Sequence, residues 1–196
     1  MRYLLLLYFF LLGPVEASIM GISTHPLKFN SQALTAEMLG QMSHSREMGM
    51  GVRYTRDLDY FKRFDVGVSA GEKSESYQIS SGLEVEVMSE DIDVPRIGIK
   101  GFYQYKKELV SNFSLIGIAP NVSKGFSIEG LEFFPYLALP MGLKIDNASD
   151  EFLYSAALST GMSVPVNRQV LVNLELNRDL GASSDYIGLL ISWMWN

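Results

Sequence analysis

The chain has 196 residues, no cysteine and a formal net charge of -6. Without cysteine it can build neither a disulfide framework nor a thiol active site, which excludes disulfide-stapled secreted scaffolds. The acidic balance argues against nucleic-acid binding, because such binding needs a basic surface that replaces counterions. Charged residues form 19% of the chain, below the ~25% of an average soluble domain.

The N-terminus has the pattern of a secretory signal peptide. Arg2 is positive, Leu4–Leu12 is an unbroken apolar run, and Val15-Glu16-Ala17 is a small-x-small cleavage site, so cleavage after Ala17 is predicted. The run is shorter than the ~20 apolar residues of a membrane helix. Residues 18–31 form a lead-in, and a single domain follows over 32–196. No later stretch could be a membrane helix, so a membrane protein of this sequence must cross as a closed barrel.

From Gln32 onward, segment after segment alternates apolar and polar residues, which is the period of a β-strand. In Glu47–Asp57, methionine, valine and tyrosine at even positions oppose glycine, arginine and threonine at odd positions. Short turns separate the segments, and the pattern predicts an all-β, antiparallel up-and-down architecture of about ten strands. The ten predicted segments are Ala33–Ser43, Glu47–Asp57, Phe64–Gly71, Ser76–Met88, Arg96–Lys106, Phe113–Ser123, Glu132–Lys144, Phe152–Val164, Gln169–Asn177 and Ser184–Asn196.

Eight strands are the alternative. This count follows if Ala33–Ser43 is an extended lead-in and if the irregular segment Phe113–Ser123, which contains Pro120, adds no strand of its own. Pro135 and Pro140 predict bulges in the seventh segment, because proline cannot donate to the ladder of hydrogen bonds. Either even count brings both ends of the sheet to the same side.

The apolar faces of these segments carry no charge through their middles. Arg56, Lys107 and Arg178 lie only near strand ends, where long cationic side chains can reach lipid headgroups. Aromatic residues also lie near the strand ends, as in the interfacial girdles of membrane barrels. The predicted interfacial aromatics are Tyr54, Tyr77, Tyr105, Phe152, Tyr154, Trp193 and Trp195.

The opposite faces interleave charges with glycine, serine, glutamine and asparagine. Buried charges are normally paired, so we predict a charge network in the lumen of the barrel. Its predicted members are Glu37, Arg53, Glu84, Glu86, Lys100, Glu132, Lys144 and Glu175. In a soluble lipocalin-like barrel the apolar face would instead line the interior, and alternation alone does not separate the two forms. Sparse charge and many small residues on the polar face favour the membrane form.

The last segment, Ser184–Asn196, carries the most specific signal. Its apolar face runs from Ile187 to Trp193 and Trp195, and Asn196 follows the final aromatic residue. With the leader and the ten segments, the chain resembles a small bacterial outer-membrane β-barrel protein, and this strand is similar to the signal that the barrel-assembly machinery reads. The resemblance implies a transmembrane barrel in the outer membrane of a Gram-negative cell envelope. It implies outer-membrane lipid and the assembly machinery as partners, and a monomer.

Few residues point to chemistry. His44 lies between two serines and could belong to a Ser/His lipid hydrolase, but it lies in a predicted turn and no oxyanion-hole motif accompanies it. His25 and His44, without cysteine, do not predict a zinc site, and we predict no catalytic residue, metal or cofactor. The expected function is a structural, adhesive or narrow-pore barrel, since eight strands just fill their interior and open channels need about sixteen. The alternatives are a soluble exported lipocalin-like carrier of an apolar ligand and, third, a lipid hydrolase.

Overall fold

A computed structural model describes residues 31–42, 48–71, 76–107, 112–147, 151–181 and 185–195. The predicted signal peptide Met1–Ala17, the lead-in as far as Asn30, His25 and His44 lie outside these ranges. No helix in the described part of the chain is long and apolar enough to cross a membrane.

The regular structure in these ranges consists of β-strands. They are β1 (Gln32–Gln41), β2 (Met48–Asp57), β3 (Lys62–Gly71), β4 (Tyr77–Met88), β5 (Arg96–Lys107), β6 (Asn112–Ser123), β7 (Phe126–Ile128), β8 (Leu131–Ala138), β9 (Met141–Asp146), β10 (Glu151–Pro165), β11 (Val170–Asp179) and β12 (Asp185–Trp195). All neighbours pair antiparallel, as predicted.

These twelve segments build ten barrel strands, because β7 continues β6 and β9 continues β8. One register runs through the whole hairpin, from Phe113 opposite Asp146, through Ser123 opposite Tyr136, to Ile128 opposite Leu131. The bulges predicted at Pro135 and Pro140 are therefore wrong. β8 continues through Pro135, and at Leu139-Pro140 the strand is interrupted without a change of register, since proline has no N–H to donate.

Pairing of β1 with β12 closes the sheet into a barrel. The register runs from Gln32 opposite Trp195 to Gln41 opposite Tyr186, so neither terminal strand leaves an open edge. The predicted ten strands are confirmed. The alternative of eight is wrong, because both segments on which it depended are barrel strands, Pro120 included. We call the end where β1 begins and β12 ends the terminal mouth, and the opposite end the far mouth.

The apolar faces point outward, as the membrane form predicts. Large apolar side chains such as Met50, Val68 and Ile191 are exposed on the outer surface, whereas the polar faces are buried. The lipocalin-like alternative requires the reverse arrangement. The interior also holds two apolar clusters, formed by Phe102, Leu115, Ala119, Tyr136 and Ala138, and by Ala33, Leu171 and Met194.

On β6 and β9, Gly117 lies opposite Gly142. A Cβ on Gly117 would collide with the Met141 carbonyl oxygen, and one on Gly142 with the Ile116 carbonyl oxygen. Backbone oxygens cannot move aside as a flexible side chain can, so this contact requires glycine on both strands.

Candidate functional site

The lumen is the part of the molecule with concentrated chemistry, and ion pairs across β1, β2, β3 and β5 form its centre. Arg53 donates from Nε to Glu37 on one side and from Nη1 to Asp65 Oδ1, 2.6 Å away, on the other. Lys100 Nζ lies 2.7 Å from Asp65 Oδ2. The four charges thus alternate in sign along one chain of contacts, which satisfies each buried charge.

A glycine on β4 makes room for this chain of contacts. Gly82 lies directly opposite Asp65 on the neighbouring strand. A Cβ at this position would meet the Lys100 Cε and, at 2.7 Å, Asp65 Oδ2. Lys100 therefore crosses over β4 at its one missing side chain to reach the carboxylate on β3.

A second set of ion pairs lies nearer the terminal mouth. Arg63 Nε donates to Asp57 Oδ1 at 3.0 Å, and its Nη1 lies 3.8 Å from Glu84 Oε2. Arg96 donates to Glu84 Oε1 at 3.2 Å and to Glu86 Oε2 at 2.6 Å. We call the two sets together the lumen network; its nine members are Glu37, Arg53, Asp57, Arg63, Asp65, Glu84, Glu86, Arg96 and Lys100.

Five of the eight residues predicted for the network, Glu37, Arg53, Glu84, Glu86 and Lys100, belong to it. The structure gives the other three different surroundings. Glu175 is buried on β11 and accepts a hydrogen bond of 2.8 Å from the Tyr136 hydroxyl. Lys144 is half-buried near the far mouth, with its Nζ 3.9 Å from the centre of the Phe113 ring. Glu132 is exposed beyond the terminal mouth, so its placement in the lumen is corrected: it has the inward parity but lies past the rim.

Sequence reasoning missed Asp57, Arg63, Asp65 and Arg96 as network members. Asp65 and Arg96 are on the polar faces of predicted strands, so parity alone could have found them. Arg63 precedes the predicted start of its strand, which begins at Lys62 in the structure, and Asp57 ends the second strand. Their pairing depends on the register that sets Asp57 opposite Arg63, which no single segment reveals.

The β8–β11 side of the lumen is filled by largely neutral groups. Ser159, Ser163 and Asn177 are buried on the inward faces of β10 and β11, and Asn177 Nδ2 donates to Ser159 Oγ at 2.8 Å. Hydroxyl, amide and apolar side chains therefore fill most of this half, beside the buried carboxylates Glu175 and Asp179, while most of the described ion pairs occupy the other half.

The predicted interfacial aromatics lie at the two ends of the barrel. Tyr54, Trp193 and Trp195 are near the terminal mouth, and the Tyr54 hydroxyl donates to Gln32 Oε1 at 2.8 Å. The remaining four lie near the far mouth: Tyr77, Tyr105, Phe152 and Tyr154. The rings of Tyr77 and Tyr105 pack with their centres 6.2 Å apart.

Within the described ranges, the structure offers no group of three or more His, Asp or Glu side chains placed to hold a metal ion. The Ser/His pair of the hydrolase hypothesis, with His44, lies outside those ranges. What the lumen network can do chemically is neutralise charge and fill space.

Comparison with known proteins gives structural likeness only. No family model and no curated protein matches the chain. LpxR from Salmonella typhimurium is similar, with a TM-score of 0.48 and 12% identity, over 87% of this chain and 86% of that one. The KdgM porin has a TM-score of 0.46 and 5% identity, and the match covers 84% of this chain and 99% of that one. A designed transmembrane β-barrel has a TM-score of 0.45 and 9% identity, and the match covers 87% of this chain and 99% of that one. Function is not carried over from these proteins, and the fold rests on the strand pairing described above.

Proposed function

We propose that this protein is an integral outer-membrane β-barrel with a structural role, and that the lumen network closes its interior to solutes. The observation that carries the proposal is the burial of the lumen charges. Lys100 and Glu84 are each 2% exposed and Arg53 is 4% exposed. A water-filled passage would leave such side chains accessible, so their burial supports a closed interior.

The outer surface supports membrane insertion. Exposed apolar patches beyond a few hundred Å² are uncommon on soluble monomers and mark sites of lipid or protein contact. Here outward apolar side chains continue from strand to strand, for example from Leu34 to Trp193 and from Val52 to Val68. A barrel satisfies its backbone hydrogen bonds internally, as a bilayer requires.

A structural role is favoured over an adhesive or narrow-pore role. The five connections at the far mouth span four to six residues each, which leaves little chain for an external binding site. Closure of β1 onto β12 leaves no edge for a strand of a second copy, which supports a monomer. The proposed partners are outer-membrane lipid and, through β12, the barrel-assembly machinery; the proposed location is the cell outer membrane.

The test is reconstitution in phosphatidylcholine vesicles followed by recording of ion current across a planar bilayer. We expect the protein to stay with the vesicles after an alkaline carbonate wash and to give no discrete current steps. Current steps would overturn the closed lumen. Recovery as a detergent-free soluble monomer with bound lipid would overturn membrane insertion and favour the carrier.

The proposal includes no catalytic activity. The hydrolase alternative predicts that a His44→Ala substitution changes the lipid profile of cells that express the protein. We expect identical profiles for the unaltered chain and this variant, measured by mass spectrometry of extracted lipids.

A further inference from the structure

The β7–β8 hairpin extends the barrel wall past the terminal mouth on one side. Ser123, opposite Arg96, is the last residue of β6 that pairs with β5, and Ile128 lies five residues further along. At ~3.3 Å per residue this is about 16 Å of strand beyond the neighbouring β5. The hairpin ends in a two-residue turn in which Glu129 and Gly130 both have positive φ, the conformation of the tight turns that join twisted strands.

The two faces of this hairpin differ in polarity. Phe126 and Ile128 on β7, with Leu131 and Phe133 on β8, share the face that continues the outer surface of the barrel, and the first three are exposed. The rings of Phe126 and Phe133 stack with their centres 5.5 Å apart. The opposite face carries Ser127 and Glu132 (exposed).

Hydrogen bonds hold the hairpin against the β4–β5 connection. Lys124 Nζ donates to the carbonyl oxygens of Asp91 at 2.6 Å, Ile92 at 2.7 Å and Val94 at 3.3 Å. The Gly125 N–H donates to Glu90 Oε1 at 2.7 Å. Three carbonyl oxygens thus surround the one cation on the outward face of this wall, and the side chains of Ile92 and Val94 are exposed beside it.

The apolar outer face is therefore taller on this side of the barrel. On β12 it runs from Ile187 to Trp195, about 26 Å of strand, whereas from Ile116 through Ile128 it runs about 40 Å at ~3.3 Å per residue. With strands tilted by ~40°, the corresponding heights are about 20 Å and 30 Å, against a typical apolar band of ~25 Å.

We propose that the apolar face of the β7–β8 hairpin is embedded in the lipid hydrocarbon at the terminal mouth. This inference rests on the proposed membrane insertion. Lipid is the occupant that fits, because this face is continuous with the lipid-facing wall and its only cation is already occupied by carbonyl oxygens. The barrel then sits tilted or the bilayer thickens locally, so that the hairpin side is immersed more deeply.

The absence of cysteine from the sequence allows a fluorophore to be attached at one introduced thiol. We would label the variants Ile128→Cys and Leu131→Cys on the apolar face, and Ser127→Cys on the polar face as the matched control. Ile191→Cys on β12 serves as the reference for the lipid-facing wall. All are reconstituted in palmitoyl-oleoyl phosphatidylcholine, and quenching by brominated lipid is compared with quenching by aqueous iodide.

Labels at Ile128→Cys and Leu131→Cys are expected to be quenched by brominated lipid within twofold of the Ile191→Cys label. Iodide should quench them several-fold less than the Ser127→Cys label. Equal iodide quenching of all three hairpin labels, with the Ile191→Cys label still in lipid, would overturn the inference and leave the proposed function intact. Iodide quenching of the Ile191→Cys label would overturn both the inference about the hairpin and the proposed membrane insertion. Protection from both quenchers that depends on protein concentration would assign the face to a second copy and also overturn the inference.

Discussion

Two arginines on β2, three residues apart, meet opposite surroundings. Arg53 points into the lumen and is held between Glu37 and Asp65, whereas Arg56 faces outward near the terminal mouth and is exposed. Strand parity alone decides which arginine must be paired. The difference teaches that the two faces of one sheet follow different rules: the lumen holds its charges where polar partners satisfy them, and the outer wall carries charge near its ends or, at Lys124, where backbone carbonyl oxygens surround it.

Removal of the inward arginine should give the largest effect. An Arg53→Met substitution leaves two buried carboxylates without their shared cation, and breaking a buried pair costs about 3–5 kcal/mol. The matched change on the outer face, Arg56→Met, should alter the free energy of unfolding by about 0.5 kcal/mol or less. Urea unfolding of the reconstituted protein, followed by tryptophan fluorescence, measures both. An equal decrease in the free energy of unfolding for the two variants would show that the lumen network does not stabilise the barrel.

Adding charge to the outer wall tests the converse rule. An Ile191→Arg substitution places a cation at mid-depth on the lipid-facing side of β12, at a cost of about 2–4 kcal/mol. The same change near a strand end, Phe152→Arg, should cost about 0–1 kcal/mol. The comparison is made by the same unfolding measurement in bilayers. A cost that does not depend on depth would mean that the outer wall does not face hydrocarbon.

Glycines on the two faces should also respond differently to an added methyl group. Gly142→Ala meets the backbone oxygen of Ile116 and should destabilise the barrel by about 1–3 kcal/mol, as overpacking does. On the outer wall, a Cβ added at Gly101 would have the Leu83 carbonyl oxygen as its nearest neighbour, at 3.9 Å. Gly101→Ala should therefore be neutral or stabilise by up to about 1 kcal/mol, because glycine weakens a strand. Thermal or urea unfolding of the two variants tests the close approach of β6 and β9.

The smallest expected effect lies outside both faces, in the β2–β3 turn. The Phe61 N–H donates to Asp59 Oδ1 at 2.8 Å and Lys62 pairs with Asp59, so the pKa of Asp59 lies below its ordinary value. The charged form is favoured in the fold. Its contribution is fully present above the unfolded pKa of about 3.9 and is lost as the pH falls through the lower folded value. A carboxyl titration followed by NMR should give a midpoint below about 3.9; a midpoint above it would contradict this geometry.

Much of the fold follows from the sequence because strand parity is a local property. Alternation assigned Met50, Val68 and Ile191 to one face and Arg53 and Glu84 to the other, without knowledge of neighbours. The same alternation could not decide which face is inside, since a lipocalin-like barrel has the same pattern. The structure decides which face is inside: β1 pairs with β12 to close the barrel, and the apolar faces are the exposed ones.

The candidate site was less predictable because it depends on register and height. Lys100 on β5 reaches Asp65 on β3 because Gly82, on β4 between them, has no side chain in the way. This contact depends on the positions of three strands. Glu132 has the parity of a lumen residue, but the hairpin carries it beyond the rim. β7 itself was not predicted, because Lys124-Gly125 interrupts the alternation before it.

The central claim is that the apolar faces contact lipid while the polar faces are sealed inside. A nitroxide placed in turn at each position from Ile187 to Ile191 on β12, in bilayers, tests it most directly through collision with dissolved oxygen. The account predicts high oxygen contact at Ile187, Leu189 and Ile191 and low contact at Gly188 and Leu190. High oxygen contact at Gly188 and Leu190 with low contact at Ile187, Leu189 and Ile191 would contradict it. Access of a water-soluble paramagnetic reagent to Leu189 would also contradict it.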